Sequence, residues 1–192
     1  WGNVLSFERL LAQAYSSDCL LILTWTSYDF SYDFHLNLLK APYIEIYQKM
    51  QYIETKVKDT RLKLIGLKDY FVYIKINEDE NYKGNITYKF FDFELNLVYS
   101  MTEQYEDYLD ILFSQLSNSG KLNEFILCTL KKEDRSVDLD TYKCKVYKFH
   151  NNDLSIEKPI DIPIYGYDYS LEFYFFDENN IVFYIYDIYS ND

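Results

Sequence analysis

Residues 27–34 read SYDFSYDF, the same four letters twice. Tyr28, Phe30, Tyr32 and Phe34 share one parity, and Asp29, Ser31, Asp33 and His35 share the other. Side chains of a strand point to opposite faces with period two, so the stretch predicts one half-buried strand. Such alternation demands a sheet to lie in, and it recurs in YKCKVYKFH (142–150). Asp29 and Asp33 would stand roughly 13 Å apart on that strand. Glycosidase carboxylates need about 5–9.5 Å, so the two are no acid–base pair. Asp33 and His35, roughly 6.6 Å apart, would join a metal site only with ligands from elsewhere. A polar outer face is the simpler reading.

Other runs predict helices. Val4, Phe7, Leu10, Leu11 and Ala14 fall on one helical face over 4–16, and Ser17-Asp18 would end it. Pro42 opens a second periodic run through Val57, although IEIYQKM within it also fits a strand. Ser100 and Glu103 form a capping-box pattern before the stripe Tyr105, Tyr108, Leu109, Leu112, Phe113 and Leu116, with Gly120 as the stop. Strands are expected at 19–25, 69–76, 86–100, 124–132 and 142–150, with NNDL (151–154) as a turn. Pro159 and Pro163 mark an irregular or edge segment. SLEFYFF (170–176) and IVFYIYDIY (181–189) flank DENN as a last hairpin. The expectation is a single α+β domain over 1–192, a mainly antiparallel sheet of about seven to nine strands with two or three helices packed on it. A faint helix–break–strand echo between 4–25 and 102–130 suggests a weak duplication of 1–100 in 101–192.

Charge is concentrated at one end. The chain carries 19 basic and 31 acidic residues, a net −12. From Pro159 to Asp192 there is no Lys or Arg. That segment interleaves Asp161, Asp168, Glu172, Asp177, Glu178, Asp187 and Asp192 with eleven Tyr and Phe. Phosphate needs cations, so direct nucleic-acid binding is disfavoured, as is an anionic membrane. An acidic face favours a basic partner and speeds the encounter, but it also serves solubility alone. Tyr supplies rigid contact area with a polar tip and pairs with Arg and Lys through cation–π contacts. The candidate contact residues are therefore the six acids Asp161, Asp168, Glu172, Asp177, Glu178 and Asp187, with Tyr165, Tyr167, Tyr169, Tyr174 and Tyr184.

The chain has no Walker loop, GxGxxG, HExxH, GxSxG or CxxC, so no catalytic residues, metal ligands or cofactor are assigned. A carboxylate-only Mg²⁺ site built on EDE (78–80), DLD (138–140) or the terminal acids stays open. Cys19, Cys128 and Cys144 are odd in number and widely spaced, which reads as buried thiols in a reducing cytosol. No run reaches the ~18 apolar residues of a membrane helix, and the first residues lack the basic start of a signal peptide.

The small, acidic, Tyr/Phe-rich chain resembles the immunity proteins of bacterial polymorphic toxin systems. EFYFFDENNIVFYIYD (172–187) is also similar to the closing hairpin of a bacterial domain family from Gram-positive genomes, through its F-x-x-Y-D ending at Phe183, Tyr186 and Asp187. That family continues with Asp and then Arg-Gly, where this chain has Ile188-Tyr189-Ser190. The resemblance implies a non-enzymatic, cytoplasmic protein that neutralises a basic toxin. A nucleic-acid mimic that inhibits a DNA- or RNA-binding defence protein, or a carboxylate–metal hydrolase, are the alternatives.

Overall fold

The computed structural model describes residues 9–16, 19–28, 31–40, 49–55, 60–78, 84–105, 110–114, 122–132, 139–157, 159–165, 169–175 and 181–187. Among these residues there are fifteen strands and no helix. The α+β expectation is thus overturned, and the protein is mainly β. No helix among them is long and apolar enough to cross a membrane.

Every strand pairing among the described residues is antiparallel. The first sheet runs β1 (Arg9–Ser16), β2 (Cys19–Tyr28), β3 (Ser31–Lys40), β4 (Lys49–Thr55). The second runs β5 (Thr60–Gly66), β6 (Phe71–Glu78), β7 (Gly84–Phe91), β8 (Leu97–Tyr105). The third holds β9 (Asp110–Ser114), β10 (Glu124–Lys132) and β11 (Leu139–His150), whose far edge pairs with both β12 (Asp153–Ile156) and β13 (Ile160–Tyr165). β14 (Tyr169–Phe175) and β15 (Ile181–Asp187) form a two-stranded ladder.

Each expected helix has a reason for being strand. Over 9–16 the apolar spacing fits either period, and the run pairs along β2 up to Ser16 opposite Cys19; residues 4–8 and the expected stop at 17–18 lie outside the described residues. In the second run, residues 49–55 pair with β3; only Lys49 and Met50 of IEIYQKM fall in that strand, and 41–48, with 56–57 at the run's end, lie outside the described residues. In the third, Ser100 and Glu103 lie in β8, where Thr102, Tyr99 and Val98 favour a strand. Leu112 and Phe113 of that stripe lie in β9, paired to β10.

The SYDFSYDF strand is also corrected. The chain reverses inside it: Tyr28 ends β2 and faces Ser31, so Thr26 opposes Asp33 and Trp25 opposes Phe34. Asp29 and Phe30 lie outside the described residues. The expected strand over 86–100 is broken at 92–96. There Asp92 Oδ1 accepts from the backbone N–H of Glu94 and Asn96, both at 2.8 Å, and Oδ2 accepts from Asn96 Nδ2 at 2.9 Å. The turn holds buried Leu95 at φ 62°, a left-handed conformation that a side chain disfavours. At the NNDL turn, Asn151 (φ 52°) and Asn152 (φ 60°) take the two positive-φ positions of a type I′ hairpin between His150 and Asp153.

The second sheet is buried on both faces. Alternation sends Val72, Ile74, Ile76, Ile86, Tyr88 and Phe90 to one side, where they meet Phe125, Leu127, Tyr147 and Phe149 of the third sheet. Phe71, Tyr73 and Phe91 go to the other side and join Leu21, Leu23, Leu36 and Leu38 of the first. The interface between the second and third sheets is aromatic. Phe90 stacks on Phe149 with centroids 4.2 Å apart, and Phe125 on Tyr147 at 4.7 Å. Each fully buried ring of this kind contributes about 1.5–3 kcal/mol by leaving water.

The reading of the cysteines as free thiols fails for two of them. Cys128 and Cys144 stand directly opposite in β10 and β11, with Cα atoms 4.0 Å apart, and form a disulfide. They stand at a sequence separation of 16, which looked wide, but the antiparallel pairing of β10 and β11 brings them face to face. Cys19 is buried and takes no part in this bridge.

Candidate functional site

The residues singled out from the sequence fall on three places. Tyr167, Asp168, Asp177 and Glu178 lie outside the described residues. Asp161 and Tyr165 belong to β13, and Glu172, Tyr169, Tyr174, Tyr184 and Asp187 to the β14–β15 ladder.

In the ladder, Glu172 is opposite Tyr184, with Ser170 opposite Tyr186 and Tyr174 opposite Val182. These positions share one face. The other face carries Leu171 opposite Ile185, Phe173 opposite Phe183 and Phe175 opposite Ile181, with Tyr169 opposite Asp187 at its end. The register therefore brings Glu172, Tyr174 and Tyr184 together and separates them from Tyr169 and Asp187. Tyr184 is 58% exposed, so the face bearing Glu172 includes a tyrosine open to solvent.

β13 fulfils the edge role expected from its prolines. Past β12, Glu157 N–H still donates to Val146 O at 2.9 Å, and pairing with β11 resumes at Ile160 opposite Cys144. Pro163, which has no N–H, sits opposite Thr141 on this outer strand. Asp161 is exposed but stands opposite Lys143, so its charge is partly balanced by a cross-strand neighbour.

A second polar arrangement was not foreseen. Between the second and third sheets, the Tyr147 hydroxyl donates to Glu103 Oε2 at 2.8 Å, and the Tyr88 hydroxyl donates to Tyr147 Oη at 3.0 Å while lying 3.4 Å from Glu103 Oε2. Lys145 Nζ pairs with Glu103 Oε1. Burial, then the neighbouring Tyr147 and Glu103, push the Tyr88 hydroxyl well above its ordinary range. A phenol held neutral in this way is a donor and not a base. The four groups lock two sheets together rather than present a nucleophile. The legible signal was parity in β11, which puts Lys143 and Lys145 in the same row as the core residues Tyr147 and Phe149. A lysine in a core row requires an anion facing it.

Lys148 extends from the other face of β11 toward Glu157 Oε1 at 2.8 Å and Glu124 Oε1 at 3.6 Å. Its hydrogen bond to Glu157 raises its pKa against the opposing effect of desolvation. Among the described residues no three His, Cys, Asp or Glu side chains gather where they could hold a metal ion.

Neither a protein-family model, nor a curated protein, nor a solved structure matches this chain.

Proposed function

We propose that the protein is a non-enzymatic acidic binding protein that neutralises a basic protein partner, in the manner of a toxin immunity protein. The observation that carries this is the cation-free segment from Pro159 onward, in which Glu172 and the exposed Tyr184 share one face of a hairpin. A carboxylate beside an open phenol suits a guanidinium or ammonium group through an ion pair and a cation–π contact. The long-range field of a −12 chain steers such a partner inward.

For location, two features pull apart. The immunity reading places the chain in the cytoplasm with its toxin. The Cys128–Cys144 bridge favours an oxidising compartment.

The test is capture of partners from the native host lysate at low and high salt, then association kinetics with the captured protein. Charge reversal at Asp168 and Glu172 slows association at low salt and changes it little at high salt. An unchanged on-rate removes the proposal. Displacement of the captured partner by nucleic acid converts it to the nucleic-acid-mimic reading.

A further inference from the structure

We propose that the β14–β15 hairpin is a lid, seated by its apolar face on the outer side of the third sheet, and that it shields the Cys128–Cys144 bridge from reductant. The third sheet has two faces. Phe125, Leu127, Tyr147 and Phe149 turn toward the second sheet. Alternation sends Ile126, Cys128, Tyr142, Cys144 and Val146 to the opposite side, away from it. Those five are nevertheless buried, and the two cysteines are fully so. Something covers them, and it is not the second sheet.

The cover has a direction. Along one cross-strand row, Cys128 in β10 and Cys144 in β11 are closed to solvent, while their neighbour Ile160 in β13 is 40% exposed. Along the next row, Tyr142 in β11 is buried and Ile162 in β13 is half-buried. The cover therefore lies over β10 and β11 and thins out at β13. It reaches them from the β9 side, and β14 comes close to β9. Two strands about 4.8 Å apart cover a strip as wide as the β10–β11 pair.

The hairpin fits that place. Its register puts Leu171, Phe173, Phe175, Ile181, Phe183 and Ile185 on one face. A two-stranded ladder is marginal in water by itself and needs an apolar surface to lie on. With that face seated, the opposite face looks outward, and Tyr184 on it is 58% exposed. An earlier part of the chain has the same relation: the first sheet packs on the second, with β1 alongside β5. Consecutive antiparallel meanders laid face to face, first strand beside first strand, are the arrangement of β-propeller blades. On that pattern β14 and β15 are the inner half of a blade resting on the third sheet.

Reduction needs contact with sulfur. One thiolate of a dithiol attacks a bridge Sγ and the S–S bond breaks. The second thiolate then closes the reductant into a cyclic disulfide, and the two protons of the dithiol end on Cys128 and Cys144. A seated lid blocks the first attack, so reduction waits for the hairpin to open. The converse holds by linkage: loss of the bridge loosens the surface under the lid, and the hairpin opens more often.

The test follows reduction of the full chain by dithiothreitol, with the new thiols alkylated and counted by mass spectrometry. The expected rate is far slower than for the urea-denatured chain. Phe173→Asp with Phe183→Asp puts two charges in the seat and speeds reduction about tenfold or more, while the β-sheet circular dichroism signal is kept. Ser170→Asp, on the other face of the same hairpin, leaves the rate unchanged. Hydrogen exchange adds a readout that needs no substitution: in the reduced protein, amides of 169–175 and 181–187 exchange about tenfold faster, and those of β6 and β7 do not. A wild-type bridge reduced as fast as in urea overturns the proposal. So does a double aspartate variant reduced at the wild-type rate, an equal acceleration by Ser170→Asp, or hairpin exchange indifferent to the bridge.

Discussion

Tyr147, on the third sheet, donates a 2.8 Å hydrogen bond to Glu103, on the edge strand of the second. The bond crosses an interface of aromatic and aliphatic side chains and, with the Lys145–Glu103 pair, ties the two sheets together. Tyr147→Phe removes the donor to Glu103 and the acceptor of Tyr88 at once, so it costs about 1–3 kcal/mol. Tyr88→Phe costs less, because Tyr147 keeps its bond to Glu103. Urea denaturation checks both: the midpoint falls in that order with little change in slope.

Stability falls on the alkaline side. The Tyr88 hydroxyl is raised by burial and its neighbours, and the Lys148 ammonium is raised by Glu157. In both cases the folded state holds its proton more tightly than the unfolded chain. Their contribution is therefore complete below the unfolded values, about 10 for Tyr and about 10.4 for Lys, and is lost as pH rises through the folded values. Denaturation midpoints should hold steady to about pH 9 and drop above about pH 10. Tyr88→Phe removes part of that drop; a curve identical to the parent would show that Tyr88 does not contribute to it.

The bridge between Cys128 and Cys144 closes a short loop. At a sequence separation of 16, it should stabilise the fold by about 3 kcal/mol through the unfolded chain. Reductant, or Cys128→Ala with Cys144→Ala, lowers the denaturation midpoint accordingly. Thiol titration of the unreduced, denatured protein should find Cys19 alone. Three reactive thiols in that assay would show that the bridge does not form.

The strands with strict alternation or a clear β composition were legible in the sequence. Residues 124–132 form β10 as expected, and β11, β14 and β15 lie within a few residues of their predicted spans. β10 and β11 have a paired neighbour on each side that rewards period two, and β14 and β15 have each other. Some failures came where a short apolar run fits two periods; others came where an alternating run is split between two strands, as in SYDFSYDF and in 86–100. Leu10, Leu11 and Ala14 are spaced for a helix, yet β1 finds its hydrogen bonds on β2, two residues away across a reversal. Ser100 and Glu103 looked like a helix cap, but the carboxylate of Glu103 has better donors on another sheet. That choice depends on residues more than forty positions away, which no local window contains. Of the candidate site, the charge segregation was legible, but the division of the β14–β15 hairpin into a Glu/Tyr face and an apolar face needed the register.

Among the described residues each sheet takes its strands from one stretch of the chain, β1–β4, β5–β8, β9–β13 and β14–β15, with none borrowed from another. Most backbone pairings therefore close over short loops, where the entropic cost of meeting is small. During synthesis the first sheet has all its strands once residue 55 has emerged, and each later sheet forms against a surface that already exists. The order of translation is thus also an order of assembly, and a ribosome halted after residue 105 would present two complete sheets with the aromatic face of the second still waiting for its cover.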